Sequence, residues 1–503
     1  MRRKNNVSIN IFTSLIVQLA VIIQGLIIPR IILTYFGSSI NGLVSSLTQY
    51  LNLFAIVEGG ISGVILAALY KPVAEGDSDR LSSILVTAND FMKKLGLIFA
   101  GYAIVLAAVY SVFIHTYKWV FSFSLTLIIA MAIFIQYFFT LIPQLLLRAD
   151  DKFFLCNLVQ VLFTIINIIL AIISVHIYPE IRFLKILSST VYLIQPLILN
   201  IYVKTHYRIN WKAQKNKKLL NQRWDGFGIS LANLVTTNTD IIVLTALTNL
   251  ETVSVYTIYS QILVAIKGLV NSISNGFQAQ IGQVYAKKNF SELEKKFEYY
   301  EFLINIISGL LITCCAEVIV PFIMIYTSGV NDANYNVPTF AFLITLSILF
   351  ICIREPYIQM TYCAGFFKET SRYAYGEAIL NIGISVVLVI KFGLIGVAIG
   401  TIVSILYRYL FTVIFIKRNN LLQRDYTMYF QRFCVECVSF GISYIITYSV
   451  DFFEVDTIML WIIRSFICMG INICVFLGIN VLFYKNLIRE FTKRIKNYNS
   501  KFE

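Results

Sequence analysis

The chain has 503 residues, of which 58% are hydrophobic and only 14% are charged. A soluble domain carries about 25% charged residues, so this composition excludes an ordinary soluble enzyme or binding domain. The formal net charge of +14 would suit a nucleic-acid-binding protein. Basic residues are also the signal that orients a membrane protein, and we therefore expect no nucleic-acid partner.

Apolar stretches that are long enough to cross a bilayer follow one another about fourteen times along the chain. The predicted helices span about 8–34, 40–70, 91–114, 120–147, 153–177, 183–204, 226–248, 253–284, 298–326, 338–365, 373–390, 393–416, 431–450 and 457–484. The first of them follows a basic start, but its apolar run is too long for a signal peptide and no small-residue cleavage site follows it. The expected fold class is an all-α integral membrane protein with about 14 transmembrane helices.

The great majority of the basic residues lie at the amino terminus, in every second connection between these helices and in the tail, and the other connections hold only Lys118, Arg182, Lys185 and Lys391. The connection between helices 6 and 7 is the richest and holds Lys204, Arg208, Lys212, Lys215, Lys217, Lys218 and Arg223. Loops rich in Lys and Arg stay in the cytoplasm. The pattern therefore predicts that both termini are cytoplasmic.

A weak internal duplication divides the chain. Residues near 36–95 and 250–310 share an outer turn, a long helix with a polar stripe and a short cytoplasmic loop, although chance similarity between apolar helices is the alternative. Parallel repeats are typical of transporters that rock one half against the other. The predicted parts are an N-terminal six-helix lobe 1–205, a basic linker 206–225, a C-terminal six-helix lobe 226–417, a helix pair 431–484 and a basic cytoplasmic tail 485–503.

Several charged side chains lie inside the predicted helices, where each costs roughly 2.5–3.5 kcal/mol at the bilayer centre. Those near the centre are Asp240, Lys267, Arg354, Glu355 and Arg408, while Glu58 lies toward the cytoplasmic end of helix 2 and Arg30 toward the outer end of helix 1. Such residues line a water-filled cavity or form structural ion pairs. For Arg354, a pair with Glu377 or Glu317 is the alternative to a cavity position.

Polar side chains at a spacing of three and four residues mark one face of predicted helices 1, 2, 7 and 8. Helix 2 contributes Gln49 and Asn52, and helix 8 contributes Lys267, Asn271 and Gln278. A wet cleft between two lobes would explain these stripes. Interhelical hydrogen bonds and close packing of small residues, which membrane bundles also use, are the other explanation.

Signatures of catalysis are absent from the sequence. No Gly is followed by Lys, so there is no Walker A loop, and the histidines His115, His176 and His206 form no ligand set. The Cys434-x-x-Cys437 pair has no second pair near it. We therefore expect no enzyme, no metal and no cofactor. The short outer loops argue against a membrane polysaccharide polymerase.

One stretch of the chain resembles a known family. It runs from Gly37-Ser-Ser-Ile-Asn-Gly42 to Gln49, continues through Val57-Glu58-Gly59-Gly60-Ile61, and ends at Ala68-Leu69-Tyr70-Lys71-Pro72, with Pro29-Arg30 ahead of it. These residues resemble the amino-terminal lobe of Wzx-type polysaccharide flippases, members of the multidrug/oligosaccharidyl-lipid/polysaccharide (MOP) exporter superfamily. The similarity is sharpest over residues 10–95 and looser over 225–300.

The resemblance implies a V-shaped bundle of two pseudo-symmetric lobes with alternating access. It implies transport of undecaprenyl-diphosphate-linked oligosaccharide repeat units across a bacterial cytoplasmic membrane for capsule, O-antigen or exopolysaccharide synthesis. The partners would be the lipid-linked glycan, the bilayer and the polymerase and glycosyltransferase machinery. A lipid II flippase or a multidrug or cation antiporter of the same superfamily is the alternative.

Family members keep basic residues in the cleft for the diphosphate, a role that we transfer to Lys267, Arg354 and Arg30. The predicted substrate-binding set is completed by Asn271, Gln278, Asn52 and Gln49. A purely cationic cavity would not contain acids such as Glu58 and Asp240, and these point to coupling with H⁺ or Na⁺. The predicted gate or ion-coupling set is Asp240, Glu58, Glu355 and Arg408.

Overall fold

The computed structural model of the chain describes residues 2–55, 61–113, 116–215, 238–450 and 453–499. Every regular element within these ranges is helical. Eleven of the helices are long and apolar enough to cross a membrane. The predicted fold class, an all-α membrane protein with about fourteen helices, is confirmed.

The helices, numbered in chain order, are α1 (Arg2–Asn52), α2 (Ile61–Glu75), α3 (Ser78–Phe113), α4 (Trp119–Ile135), α5 (Leu141–Ala149), α6 (Phe153–Ile177), α7 (Ile181–His206), α8 (Asn238–Leu247), α9 (Leu250–Ala286), α10 (Phe290–Tyr326), α11 (Pro338–Cys363), α12 (Phe367–Phe392), α13 (Leu394–Arg418), α14 (Tyr426–Ser449) and α15 (Ile458–Asn499). A π-helical turn, Gln136–Thr140, joins α4 to α5.

Helix α1 contains a break where the sequence predicts the boundary between its first two helices. The helix continues through Pro29 and is interrupted at Gly37, whose φ of 82° and ψ of 174° are not helical. A positive φ of this size is available to glycine at little cost, because glycine has no Cβ. Gly37 therefore lets the chain change direction without a loop.

The outward faces of the helices carry large apolar side chains. Leu97 on α3 is 77% exposed, and Phe466 and Leu482 on α15 are 74% and 79% exposed. A helix that is apolar on its outer as well as its inner face is typical of a membrane span, because lipid replaces water as its surroundings.

The described chain forms two compact units, residues 1–254 and 255–503. In the first unit, α1 packs on α6, where the Asn157 side chain donates to the hydroxyls of Thr13 (3.0 Å) and Ser14 (2.9 Å). The Asn10 side chain accepts a hydrogen bond from the backbone N–H of Phe154 at the start of α6. The lobe boundaries and the V-shaped arrangement stay predictions.

In the second unit, α12 and α13 form a tight antiparallel hairpin. Gly393 turns the chain between them with a φ of 53°. Gly396 and Gly400 on α13 approach the backbone of Leu388 and of Ser385 on α12 so closely that an added Cβ would lie only 2.5 Å and 2.9 Å from it. The close approach aligns residues at equal distances from the turn, which brings Glu377 on α12 opposite Arg408 on α13.

Candidate functional site

The charged residues that the sequence places at membrane depth in the second unit form an ion triad. Arg354 on α11 donates from Nη1 to Oε1 of Glu377 at 2.6 Å, and Arg408 on α13 donates from Nη1 to Oε2 at 2.8 Å. Both arginines are 6% exposed and Glu377 is fully buried. Since one carboxylate faces two guanidinium groups, the triad retains one positive charge in excess.

The pairing of Arg354 with Glu377 is the structural alternative that the sequence leaves open. It does not remove the positive charge, because Glu377 is shared with Arg408. Arg408 also donates to the Tyr362 hydroxyl at 3.4 Å. A role of Arg354 in substrate binding stays a prediction.

Lys267 lies beside this triad. It is half-buried on α9 and interacts electrostatically with Arg354, Glu355 and Glu377. Over the described ranges, no acidic side chain lies within ion-pair distance of its ammonium group. Glu355, half-buried on α11, accepts a hydrogen bond from the side-chain amide of Gln359 at 2.7 Å.

The group therefore contains three basic and two acidic side chains, with an excess of one positive charge when all are ionised. Clusters of this kind attract anions, and charge-assisted hydrogen bonds from Lys and Arg are strongest to phosphate and carboxylate. The arrangement has the charge and the donor groups that anion binding requires.

The other predicted residues of α9 follow the same helix toward its carboxyl end. Asn271 is half-buried and Gln278 is exposed. Between them, Ser274 is buried and shares a 2.5 Å hydrogen bond with the Tyr300 hydroxyl, so this position of the stripe is engaged in helix packing. Asn271 and Gln278 stay predicted substrate residues.

In the first unit, the predicted site residues have different environments. Arg30 is half-buried on α1, and the Oε1 of Gln49 is buried without a hydrogen-bond partner. Asn52 is half-buried at the end of α1, and Asp240 on α8 is 7% exposed. Glu58 lies outside the described residues.

Part of the polar stripe on the second half of α1 joins helices directly. The Asn41 side chain donates to the Ser254 hydroxyl at 2.8 Å, and the hydroxyls of Ser46 and Thr245 share a 2.5 Å hydrogen bond. Both partners belong to the segment that comprises α8 and the start of α9. For Asn41, interhelical bonding is the explanation that the structure supports.

A second buried ion network was not anticipated from the sequence. Glu301 on α10 is fully buried and binds the guanidinium groups of Arg424 and Arg432 and the hydroxyl of Tyr357. The residues that complete it on α10 are Glu294, bound to Arg424, and Glu298, bound to Arg432 at 2.7 Å. The spacing of four and three residues between the three acids was visible in the sequence, but their basic partners lie more than a hundred residues away.

No group of three or more His, Cys, Asp or Glu residues able to hold a metal ion occurs among the described residues. The nine cysteines are free thiols, and most of them are buried.

Ionisable groups held at membrane depth in a multi-spanning helical bundle are a common feature of membrane transporters. No family model matches the sequence, and no curated protein sequence matches it. Solved structures do share its fold. The structure of the lipid II flippase MurJ in an inward closed conformation matches with a TM-score of 0.75 at 16% identity, over 95% of this chain and 100% of that one.

Two further matching structures are described as members of the MOP superfamily. An inward-facing multidrug resistance MATE transporter matches with a TM-score of 0.66 at 14% identity, over 81% of this chain and 99% of that one. A MOP transporter from Pyrococcus furiosus, described by the reversed polarity of its binding pocket, matches with a TM-score of 0.57 at 12% identity, over 82% of this chain and 96% of that one. The chain thus has the fold of the MOP-superfamily flippases and transporters.

Proposed function

We propose that this protein is a flippase that moves undecaprenyl-diphosphate-linked oligosaccharide repeat units across the bacterial cytoplasmic membrane by alternating access. The observation that carries the proposal is the positive excess of the cluster formed by Lys267 and the triad of Arg354, Glu377 and Arg408. A diphosphate is the part of such a substrate that must leave the aqueous boundary, and it needs a cationic partner inside the protein.

The members of the cluster have different roles in this proposal. The ammonium group of Lys267 contacts the diphosphate, because no acidic residue of the described chain pairs with it. Glu377 holds Arg354 and Arg408 in place and keeps their excess charge near Lys267. Arg30 supplies a further cation, and Asn271, Gln278, Asn52 and Gln49 supply amide groups for the sugars.

The alternatives within the superfamily are a cation exporter and a lipid II flippase. A cation exporter requires a net acidic site, which the charge count in this cluster disfavours. The match to the lipid II flippase also covers more of this chain than the matches to the multidrug transporters do, 95% against 81%. Lipid II presents the same diphosphate on a different sugar, and the choice between the two cargoes depends on the glycan.

The acidic residues suit coupling and gating. Asp240, Glu58 and Glu355 are candidates for binding H⁺ or Na⁺, and Arg408 is a candidate for gating through its pair with Glu377. The energy for transport would come from an ion gradient, the membrane potential or removal of the product, since the sequence contains no Walker A motif.

The test uses purified protein in liposomes that contain undecaprenyl-diphosphate-linked oligosaccharide, with transbilayer movement measured by access of an added glycosidase. We expect Lys267→Ala to lower the rate by about tenfold or more and Lys267→Arg to retain most of it, because one charge-assisted contact contributes about 1.5–3 kcal/mol. The matched control is Lys368→Ala, at an exposed position at the start of α12.

Normal flipping by Lys267→Ala at wild-type protein level would reject the proposal. Flipping of lipid II without flipping of the oligosaccharide-linked lipid would assign the protein to the lipid II flippases. Efflux of an organic cation without flipping of either lipid would assign it to the antiporters.

A further inference from the structure

A buried polar seam follows the contact of α10 with α14 and α15, on a different part of the second unit from the cationic cluster. On α10, Asn305, Gly309, Thr313 and Glu317 recur every four residues and therefore share one face of the helix. Their exposed fractions do not exceed 8%. Polar groups packed this deeply in a membrane bundle mark packing contacts or an ion pathway.

The two partner helices present polar stripes to this face. Helix α14 contributes Glu436, Ser439, Ser443 and Thr447, and α15 contributes Asn472 and Asn480, all of them buried. The side-chain amide of Asn472 donates to Oε2 of Glu317 at 3.0 Å. Gly309 faces both the ring of Phe476 and Oε2 of Glu436, since a Cβ at Gly309 would lie 2.3 Å from the ring and 3.0 Å from the oxygen. The three stripes therefore meet.

Glu436 is a buried acidic residue of the seam with an unsatisfied carboxyl oxygen. It is 2% exposed, and its Oε2 has no hydrogen-bond partner. Within the described chain, no ion pair joins it to a basic side chain. Arg432, one turn earlier on α14, is instead bound to Glu298 and Glu301.

The titratable groups on the helices around Glu436 offer it no counter-charge. They include Arg432, Cys434, Cys437 and Tyr444 on α14, Glu298, Glu301, Cys314, Cys315 and Glu317 on α10, Arg464, Cys468 and Cys474 on α15, Tyr357 on α11 and Tyr409 on α13. Arg464 interacts electrostatically with Glu317, which lies two turns, about 12 Å, beyond Gly309 along α10.

An isolated carboxylate in such surroundings is strongly disfavoured, and it becomes neutral by taking up a proton. A metal cation is a poorer occupant, because a hard cation needs about six oxygen ligands. Oε2 of Glu436 instead faces Gly309 on α10, a position that the ring of Phe476 also faces.

Unsatisfied oxygen atoms continue the seam on both sides of Glu436. The buried oxygens without a hydrogen-bond partner are Oδ1 of Asn305, Oγ1 of Thr313, Oγ of Ser443, Oδ1 of Asn472, Oδ1 of Asn480 and Oε1 of Glu317. At the Asn305 end, the seam reaches the ion network of Glu301. This end lies near loops that are rich in basic residues and are therefore predicted to be cytoplasmic. The Glu317 end leads toward the opposite ends of the same helices.

We propose that Glu436 is a proton-binding site within this seam, and that protons pass through it between the Glu301 network and Glu317 as the transport cycle proceeds. The coupling to transport rests on the proposed function, whereas proton binding at Glu436 does not. Arg424 and Arg432 set the electrostatic boundary of the seam at one end, and Arg464 does so at the other.

The proton site is tested on the whole purified protein with dicyclohexylcarbodiimide, which reacts with protonated carboxyl groups in apolar surroundings. Peptide mass spectrometry should locate the adduct at Glu436, and labelling should fall by about tenfold per pH unit at the alkaline end of a series from about pH 6 to about pH 9. Glu454, an exposed carboxyl group, is the internal control and should remain unlabelled. Absence of an adduct at Glu436 over the whole series, or protection by Na⁺ at constant pH, would overturn the proposal.

The coupling is tested in liposomes with an imposed pH gradient. Glu436→Gln should abolish the acceleration of flipping by the gradient and leave a basal rate that does not depend on pH, and Glu436→Asp should restore part of the acceleration. Glu454→Gln should behave as wild type. Acceleration of Glu436→Gln equal to that of wild type would refute the coupling.

The same experiments separate this inference from the proposed function. Lys267→Ala should lower the flipping rate by about tenfold or more while the carbodiimide adduct at Glu436 persists, since the two sites share no residue. A variant that loses flipping but keeps the adduct at Glu436 is defective at the substrate site. A variant that loses the adduct but keeps basal flipping is defective at the proton site.

Discussion

Arg354 and Arg408 lie on different helices, and they bind the two oxygens of one buried carboxylate, that of Glu377. A pair with one arginine would be neutral, whereas this arrangement keeps a positive charge at membrane depth. Buried ion pairs contribute little net stability, but removing one partner leaves a charge without compensation. The triad therefore fixes both the packing of α11, α12 and α13 and the sign of the local charge.

Glu377→Gln should destabilise the protein by about 3–5 kcal/mol, because both buried guanidinium groups lose the carboxylate that they share. Thermal unfolding of the detergent-purified protein measures the effect. Glu369→Gln, at an exposed position of the same helix, is the matched control and should change the stability by less than about 0.5 kcal/mol. Equal melting of Glu377→Gln and wild type would contradict a structural role of the triad.

Arg354→Met should cost less stability than Glu377→Gln, since the remaining Arg408 and Glu377 form a neutral pair. The methionine side chain fills part of the vacated volume and carries no charge. The two variants are compared by the same unfolding measurement, and we expect a difference of at least about 1 kcal/mol between them. A larger loss for Arg354→Met would show that the guanidinium of Arg354, and not the carboxylate, organises the site.

Gly309→Ala should destabilise the contact of α10 with α15 by about 1–3 kcal/mol, because the new Cβ would lie 2.3 Å from the ring of Phe476. Gly441→Ala on α14 is the control, since nothing lies within 4 Å of its added Cβ. A second substitution, Phe476→Leu, should recover part of the loss. Failure of this pair to show any recovery would place the steric conflict elsewhere.

Gly42→Ala should be more damaging, with a loss of at least about 3 kcal/mol, because its Cβ would lie 1.8 Å from the backbone carbonyl oxygen of Leu250. A backbone atom cannot rotate away as a side chain can. Gly101→Ala on α3, with open space around it, should be close to neutral. The readout is the fraction of monodisperse protein after detergent extraction, and wild-type recovery of Gly42→Ala would contradict the tight contact of α1 with α9.

The sequence predicted the helices well, because a membrane span is defined locally by apolar residues over a fixed length. It also predicted the charged positions inside the helices, since these interrupt otherwise apolar runs. Gly37 illustrates the limit of such local reasoning. The sequence indicates a boundary there, and the structure shows a break inside one continuous segment.

Partners were harder to predict than positions. For Arg354, both a cavity and a pair with Glu377 were consistent with the sequence. The packing of α11 against the α12–α13 hairpin forms the pair, and the cavity role stays a prediction. The network of Glu301 was missed because its arginines lie on a distant loop and helix. The seam around Glu436 was missed for the same reason, since its polar residues lie on three helices and come together only when these helices pack.

The sequence by itself determined that this chain is an all-helical membrane protein, which residues interrupt its apolar segments and which loops carry its positive charge. Only the tertiary structure decided which charges neutralise each other, that Lys267 lies beside an arginine-rich triad, and that Glu436 has no counter-ion within the described residues. The physical reason is that hydropathy and helical periodicity are properties of a single segment, whereas the free energy of a buried charge depends on groups that packing brings from elsewhere in the chain.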